Sequence, residues 1–246
     1  SRSSPVQIGG NWANTGDMLA GFAAQAHVGI KEDGTLWAWG WIPYIGSGIV
    51  SSPVQIGSAS WRFVSGNAEE FVCMGIQSDY RLFGVGRNAE GQLGQNTGTS
   101  AESAFKEVFG GGSWTYVNTR APRYTFAIKL DGSLHFTGFT FFTTINEATY
   151  FSGIRSKSSP VQIGLGTEYL KSPTQLGSSQ WKNIFAGQNY TLGVQSNNIL
   201  YAWGAAYNSA MGRPEVITTP TPLGYYAISA AAGISHAAAL VTGNTN

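Results

Sequence analysis

The chain is poor in charge. Lys and Arg together number 14 and Asp and Glu 13 among 246 residues, so charged side chains make up only 11% and the formal net charge is +1. Soluble domains ordinarily carry about 25%. No basic stripe is available to meet phosphates, which argues against nucleic acid as a partner. Cysteine is almost absent. Cys73 stands alone, which rules out a disulfide framework or a cysteine metal cage within one chain. His27, His135 and His236 are isolated from each other and from any carboxylate cluster, so neither a metal nor another cofactor is expected. No apolar run approaches the roughly 20 residues of a membrane span, and no charged-then-apolar leader opens the sequence. Helical periodicity is missing throughout. The first residue is Ser1, which points to processing or to a place within a longer polypeptide.

What the chain does have is glycine, 33 residues, and aromatics at 13%. That combination suits short strands joined by tight turns. It also has a repeat. SSPVQIG occurs at 3–9, 51–57 and 158–164, with relaxed copies SPTQLG at 172–177 and TPTPLG at 219–224. A Trp follows each usable copy, as Trp12, Trp61 and Trp181, and Tyr226 is a stand-in for the last; Trp114 follows FKEVFG in a unit that lacks the motif. Each unit then shows an alternating stretch (HVGIK, CMGIQ, TFAIK, TLGVQ, AAALV), a turn, and a second apolar stretch closing on glycine. The turns read Asp33-Gly34, Asp79-Tyr80, Asp131-Gly132, Asn197-Asn198 and Thr242-Gly243 and predict two-residue hairpins.

The closing glycines Gly40, Gly86, Gly138 and Gly204 lie 46, 52 and 66 residues apart. Units of about 40–50 residues with several strands each indicate propeller blades. The fold expected is therefore all-β, a single β-propeller domain or arc over 1–246, with five units of which the fifth lacks its downstream strand. SPVQIG itself reads as a structural joint: Pro fixes φ, Val and Ile share one face of a strand, and Gly allows a sharp exit.

The run of SPVQIG, Trp, the Ile-Lys strand, DGTLWAWG (33–40) and NAEGQLG (88–94), with NSAMG (208–212) as a second copy of the last part, resembles the regulator-of-chromosome-condensation repeat. The SPVQIG form is similar to members encoded by bacteria and their viruses. The resemblance implies four-stranded blades in a ring of about seven, within the usual range for propellers, so five units make an incomplete part of one. The founding member is a nucleotide exchange factor for a small GTPase, and a plant member senses ultraviolet light through a Gly-Trp-Arg-His-Thr motif that this sequence lacks. The family's His slot, four residues before the inner-strand Ile, holds Ala26, Val72, Tyr124, Tyr190 and His236 here. A position that varies so widely cannot be a shared catalytic one. His236 is expected to be structural and to make a hydrogen bond between blades.

Nucleophile elbow, Walker and dinucleotide signatures are all missing. Gly110-Gly111-Gly112 has no helix to follow it, Glu69-Glu70 reads as a solvated loop, and the acceptor-like Asn189-Tyr190-Thr191 falls on a strand. One stretch stands out: an aromatic-rich insertion over 139–157 that carries Phe139, Phe141, Phe142, Tyr150 and Phe151. Together with Trp41 and Tyr44 from WIPYIGSG, these are the candidate partner-contact residues; the competing reading packs their rings on the blade face. A second SPVQIG at 159–164, just ahead of SPTQLG, is either a duplicated joint or the remnant of a blade.

The function expected is a non-enzymatic scaffold that binds other proteins, as a structural or host-contact component of a phage virion or bacterial surface. A carbohydrate-binding propeller, with Tyr44 or Tyr150 stacking on glycans, is the first alternative. A nucleotide exchange factor for a small GTPase is the second.

Overall fold

The computed structural model of the chain describes residues 8–13, 19–22, 26–46, 48–67, 71–96, 100–108, 110–119, 124–139, 169–187, 190–204, 217–232 and 236–245. Within these there are only strands, turns and bends. In chain order the strands are β1 Leu19–Phe22, β2 Ala26–Ile30, β3 Thr35–Ile42, β4 Gly48–Asn67, β5 Val72–Gln77, β6 Leu82–Gly86, β7 Glu102–Glu107, β8 Trp114–Asn118, β9 Tyr124–Lys129, β10 Ser133–Phe139, β11 Tyr169–Ala186, β12 Tyr190–Gln195, β13 Ile199–Gly204, β14 Ile217–Ala232 and β15 Ala237–Asn244. All pairing is antiparallel between sequential neighbours.

Three strands are much longer than the rest, and each serves two blades. The first part of β4 pairs with β3 and its last part, from Trp61, with β5. β11 does the same between β10 and β12, and β14 between β13 and β15. Cutting the ladders at these changes of partner gives four blades of four strands and the first two strands of a fifth, an incomplete propeller as the repeat count implied. β10 ends on Phe139; the rest of the aromatic-rich insertion and the SPVQIG at 159–164 lie outside the described residues, as do Glu69-Glu70 and NSAMG at 208–212.

The joint motif has a physical role in that change of partner. Gly40 pairs with Val50 and Ala38 with Val54, so Ser51, Ser52 and Pro53 together face the single residue Trp39. In the same way Lys171, Ser172 and Pro173 face Thr137, and Thr218, Thr219 and Pro220 face Trp203. Proline, which cannot donate to a ladder, is thus held at a bulge on the outer strand. A second bulge follows at the glycine. Trp37 pairs with Gln55 and Thr35 with Ser60, leaving Ile56 to Ala59 opposite Leu36, with Gly57 at φ +62°. Just beyond the second bulge, at Trp61, the strand changes partner from β3 to β5.

The hairpins differ from the two-residue form expected. The amide of Gly34 donates to the carbonyl of Lys31, Tyr80 to Gln77, Gly132 to Lys129 and Asn198 to Gln195. The fourth residue alone has positive φ, at +83°, +69°, +81° and +69°. These are three-residue loops, a type I turn followed by a left-handed residue. The cause is the Asx side chain at the third position. Asp33, Asp79, Asp131 and Asn197 each accept the amide two residues on, which holds their own backbone right-handed. The fifth turn does not form at Thr242-Gly243. β15 runs on through both, pairing Gly243 with Tyr226 and Asn244 with Tyr225.

Adjacent blades are joined by one repeated hydrogen bond. The amides of Trp61, Trp114, Trp181 and Ala227 donate to the left-handed residues Gly34, Tyr80, Gly132 and Asn198 of the blade before, at 2.8–2.9 Å. Ala227, buried, therefore occupies the Trp slot of the fifth unit, and Tyr226, 39% exposed, does not. The Trp61 and Trp181 rings lie over a glycine of the next strand. A methyl added at Gly75 would come within 2.5 Å of the Trp61 ring, and at Gly193 within 2.4 Å of Trp181.

Candidate functional site

Each junction between blades has two halves. The leading half is aliphatic: Ile30 and Leu36, Ile76 and Leu82, Ile128 and Leu134, all 2% exposed or less. The trailing half belongs to the next blade and is built on Trp61, Trp114 or Trp181, each 4% exposed or less. Burial at this density accounts for the cohesion of the arc, since apolar surface removed from water contributes roughly 25 cal/mol per Å².

In the first blade the Trp-bearing half faces no other blade among the described residues. On β3, Trp37, Trp39 and Trp41 alternate and so share one side of the sheet. Trp39 lies across from His27, their rings stacked at 5.4 Å and 25°, and its other neighbour is Trp12, at 5.4 Å. The Lys31 ammonium lies 3.4 Å from the centre of the Trp37 ring and 5.8 Å from that of Trp12. Trp41 is 49% exposed and pairs across the strands with Ile49, 75% exposed. The contrast with the other blades is sharp. The cross-strand pair His27–Trp39 corresponds to Cys73–Val85, Thr125–Thr137 and Thr191–Trp203, whose members are all 4% exposed or less, whereas His27 and Trp39 are only half-buried.

Of the sequence-predicted contact residues, Trp41 lies on this face. Tyr44 turns the other way, packing at 5.5 Å on Phe71 of the second blade. Phe139 ends β10 opposite Tyr169, and Phe141, Phe142, Tyr150 and Phe151 lie outside the described residues. Trp12, His27, Lys31, Trp37 and Trp39 were not singled out from the sequence. The signal was the alternation in WAWGW, which reads as an ordinary core strand because the slot of Trp39 is core in the other units.

Several described groups of a kind used in catalysis have structural partners. Ser133 Oγ donates to Asp131 Oδ1 at 2.6 Å and lies 3.0 Å from His135 Nε2, with His135 edge-on to Trp114 at 5.2 Å. Here serine bridges acid and base, the reverse of the order in which a histidine activates a serine. The Cys73 thiol is fully buried, and burial pushes its pKa up, away from the thiolate. A void of about 10 Å³ between Met74, Leu82, Val108 and His135 holds no more than about one water. Among the described residues no three His, Cys, Asp or Glu side chains converge as metal ligands, and no helix is long and apolar enough to cross a membrane. His236 is exposed; it is its backbone carbonyl that joins the blades, accepting from the Tyr190 hydroxyl, as Gly187 accepts from Tyr124 at 3.0 Å.

No protein-family model and no curated protein matches the sequence. Solved structures do match in shape. Human WBSCR16 superposes with a TM-score of 0.71 at 15% identity, over 89% of this chain and 56% of that one. Prp20p from Saccharomyces cerevisiae, described with its binding to Gsp1p and histones, gives 0.70 at 17% identity, over 90% and 55%. The structure of Kap60 bound to yeast RCC1 (Prp20) gives 0.72 at 17%, over 92% and 53%. The fold is that of the regulator-of-chromosome-condensation propeller. At these identities the likeness concerns the fold alone, and the chain spans about half the length of the structures it matches.

Proposed function

We propose that the chain is a non-enzymatic protein-interaction propeller whose contact surface includes the tryptophan face of the first blade. The observation that carries this reading is the half-exposure, among the described residues, of His27 and Trp39 in slots that three other blades bury. Half-exposed Trp and His rings with the Lys31 ammonium among them have the composition of an interaction hot spot. The fold adds support, since a structural neighbour is described binding Gsp1p and histones and another bound to Kap60. The finer assignment, a structural or host-contact component of a virion or bacterial surface, rests on the low charge, the glycine content and the SPVQIG resemblance.

A photo-cross-linking residue placed at Trp41 tests the reading, with Tyr80 on a hairpin as the control position. Protein adducts from position 41 and few from position 80 are expected. Adducts equal at both positions would remove the surface from consideration. A glycan partner is the second reading, favoured by the exposed Trp41 ring; saccharide binding by the wild type that is lost in Trp41→Ala would replace the protein reading. The exchange-factor reading, which draws on the likeness to Prp20p, requires faster nucleotide release from a small GTPase.

A further inference from the structure

The chain passes from blade to blade in two ways. From the first blade to the second, the third to the fourth and the fourth to the fifth, it crosses within one unbroken strand, β4, β11 or β14. From the second to the third it leaves β7 at Glu107 and enters β8 at Trp114, and the described positions between them belong to no strand. Three glycines lie in that gap, all with positive φ: Gly110 at +88°, Gly111 at +55° and Gly112 at +108°. A methyl added at Gly110 or Gly111 would meet nothing within 4 Å, so close packing does not require glycine at either. What the run supplies is backbone freedom.

The packing at this junction differs as well. His135 pairs with Ala127 where Phe83 pairs with Gly75 and Tyr201 with Gly193. An imidazole thus replaces a larger ring, and Ala127 puts a methyl where Trp61 and Trp181 have a glycine to lie over. The void of about 10 Å³ sits here, with Met74, Leu82 and Val108 of the second blade on one side and Ala127, His135 and Thr137 of the third on the other. Atoms that line a void have no dispersion partners on that side. Bonds that cross the junction run from the Trp114 amide to the Tyr80 carbonyl at 2.8 Å, from the Thr119 amide to Ser65 Oγ at 3.1 Å and from the Thr137 hydroxyl to the Gln92 carbonyl at 3.0 Å.

We infer that the junction between the second and third blades is the seam at which this propeller opens, with Gly110, Gly111 and Gly112 as the hinge and the blades on either side moving as two parts. An unbroken strand carries the ladder of one blade directly into the ladder of the next, so a tilt there strains paired backbone at every step. At 110–112 the same tilt is absorbed by the φ and ψ of glycine. Opening the seam breaks the bonds of Trp114, Thr119 and Thr137 across the junction and leaves the ladders inside each blade whole. Partial openings of this kind draw on the least stable contacts of a fold.

The experiment is native-state amide hydrogen exchange on the whole chain, read residue by residue by NMR. The amides of Trp114 and Trp181 make equivalent bonds across successive junctions, one beside the glycine gap and the other on the unbroken β11. Trp114 and Thr119 are expected to exchange about tenfold or more faster than Trp181. Phe126 and Ile128, inside the ladder of the third blade, are expected to exchange as slowly as Leu192 and Val194 in the fourth. In His135→Phe, which gives the third blade the ring that the second has at Phe83, the Trp114 rate should fall toward that of Trp181 while Phe126 and Ile128 stay as they were. Trp114 exchanging as slowly as Trp181 in the wild type would overturn the inference. Fast exchange shared by Trp114, Phe126 and Ile128 would overturn it too, since the third blade would then unfold as a whole instead of parting from the second. A Trp114 rate unmoved by His135→Phe would overturn the packing cause.

Discussion

At the scale of single residues, the repeat is enforced by space and by turn chemistry. Gly75 and Gly193, beneath the Trp61 and Trp181 rings, have no room for a side chain, whereas in the third blade Ala127 takes this place across from His135. Gly75→Val is expected to lower stability by roughly 1–3 kcal/mol through overpacking against Trp61, measured by urea denaturation, while Ala127→Gly should cost less than that. The Asx caps make a pH prediction. The Thr35 and Ser133 hydroxyls hold the Asp33 and Asp131 carboxyls below the usual range, and the Arg81 guanidinium does so for Asp79. A carboxyl depressed in the folded state stabilises fully above its unfolded pKa of about 4, and that contribution is lost as pH falls through the folded values. The melting temperature should therefore drop below about pH 4. A variant with all three as Asn, which keeps the acceptor without the charge, should show a shallower acid limb; an unchanged limb would contradict the assignment.

At the scale of elements, the long shared strands are what turns a string of hairpins into an arc. Their corners depend on backbone freedom. At Gly57 a methyl meets nothing within 4 Å, so Gly57→Ala isolates the backbone term at φ +62° and should cost about 1 kcal/mol. At Gly86, φ +110°, the same methyl would come within 1.9 Å of the Phe71 carbonyl oxygen, and the loss should be larger, as comparative denaturation would show. The strands themselves were legible from alternation, and the units from SPVQIG and the Trp that follows it. The turn type was not, because Asp-Gly fits both a two-residue loop and a type I turn with a left-handed residue after it, and the side-chain bond from Asp33 to the Thr35 amide decides between them. Tyr226 misled for a related reason: aromatic character suggested the Trp slot, but the hydrogen bond to Asn198 is made by Ala227. The open face was illegible in principle. Trp39 sits in a slot that is core in three other units, and whether such a slot is covered depends on the neighbouring blade.

At the scale of the whole molecule, the junctions carry the cohesion. The tyrosine hydroxyls that cross them are a measurable part of the cohesion: Tyr124→Phe removes the bond to the Gly187 carbonyl and should cost about 1 kcal/mol, read as a shift of the denaturation midpoint. The contact surface proposed is the Trp-bearing face of the first blade, which no other blade covers among the described residues, and the most direct test is residue-resolved hydroxyl-radical footprinting in dilute solution. Trp39 and Trp41 should be oxidised readily while Trp61, Trp114 and Trp181 are protected. Uniform protection of every tryptophan, including Trp41, would contradict the open face and with it the contact surface proposed for this propeller.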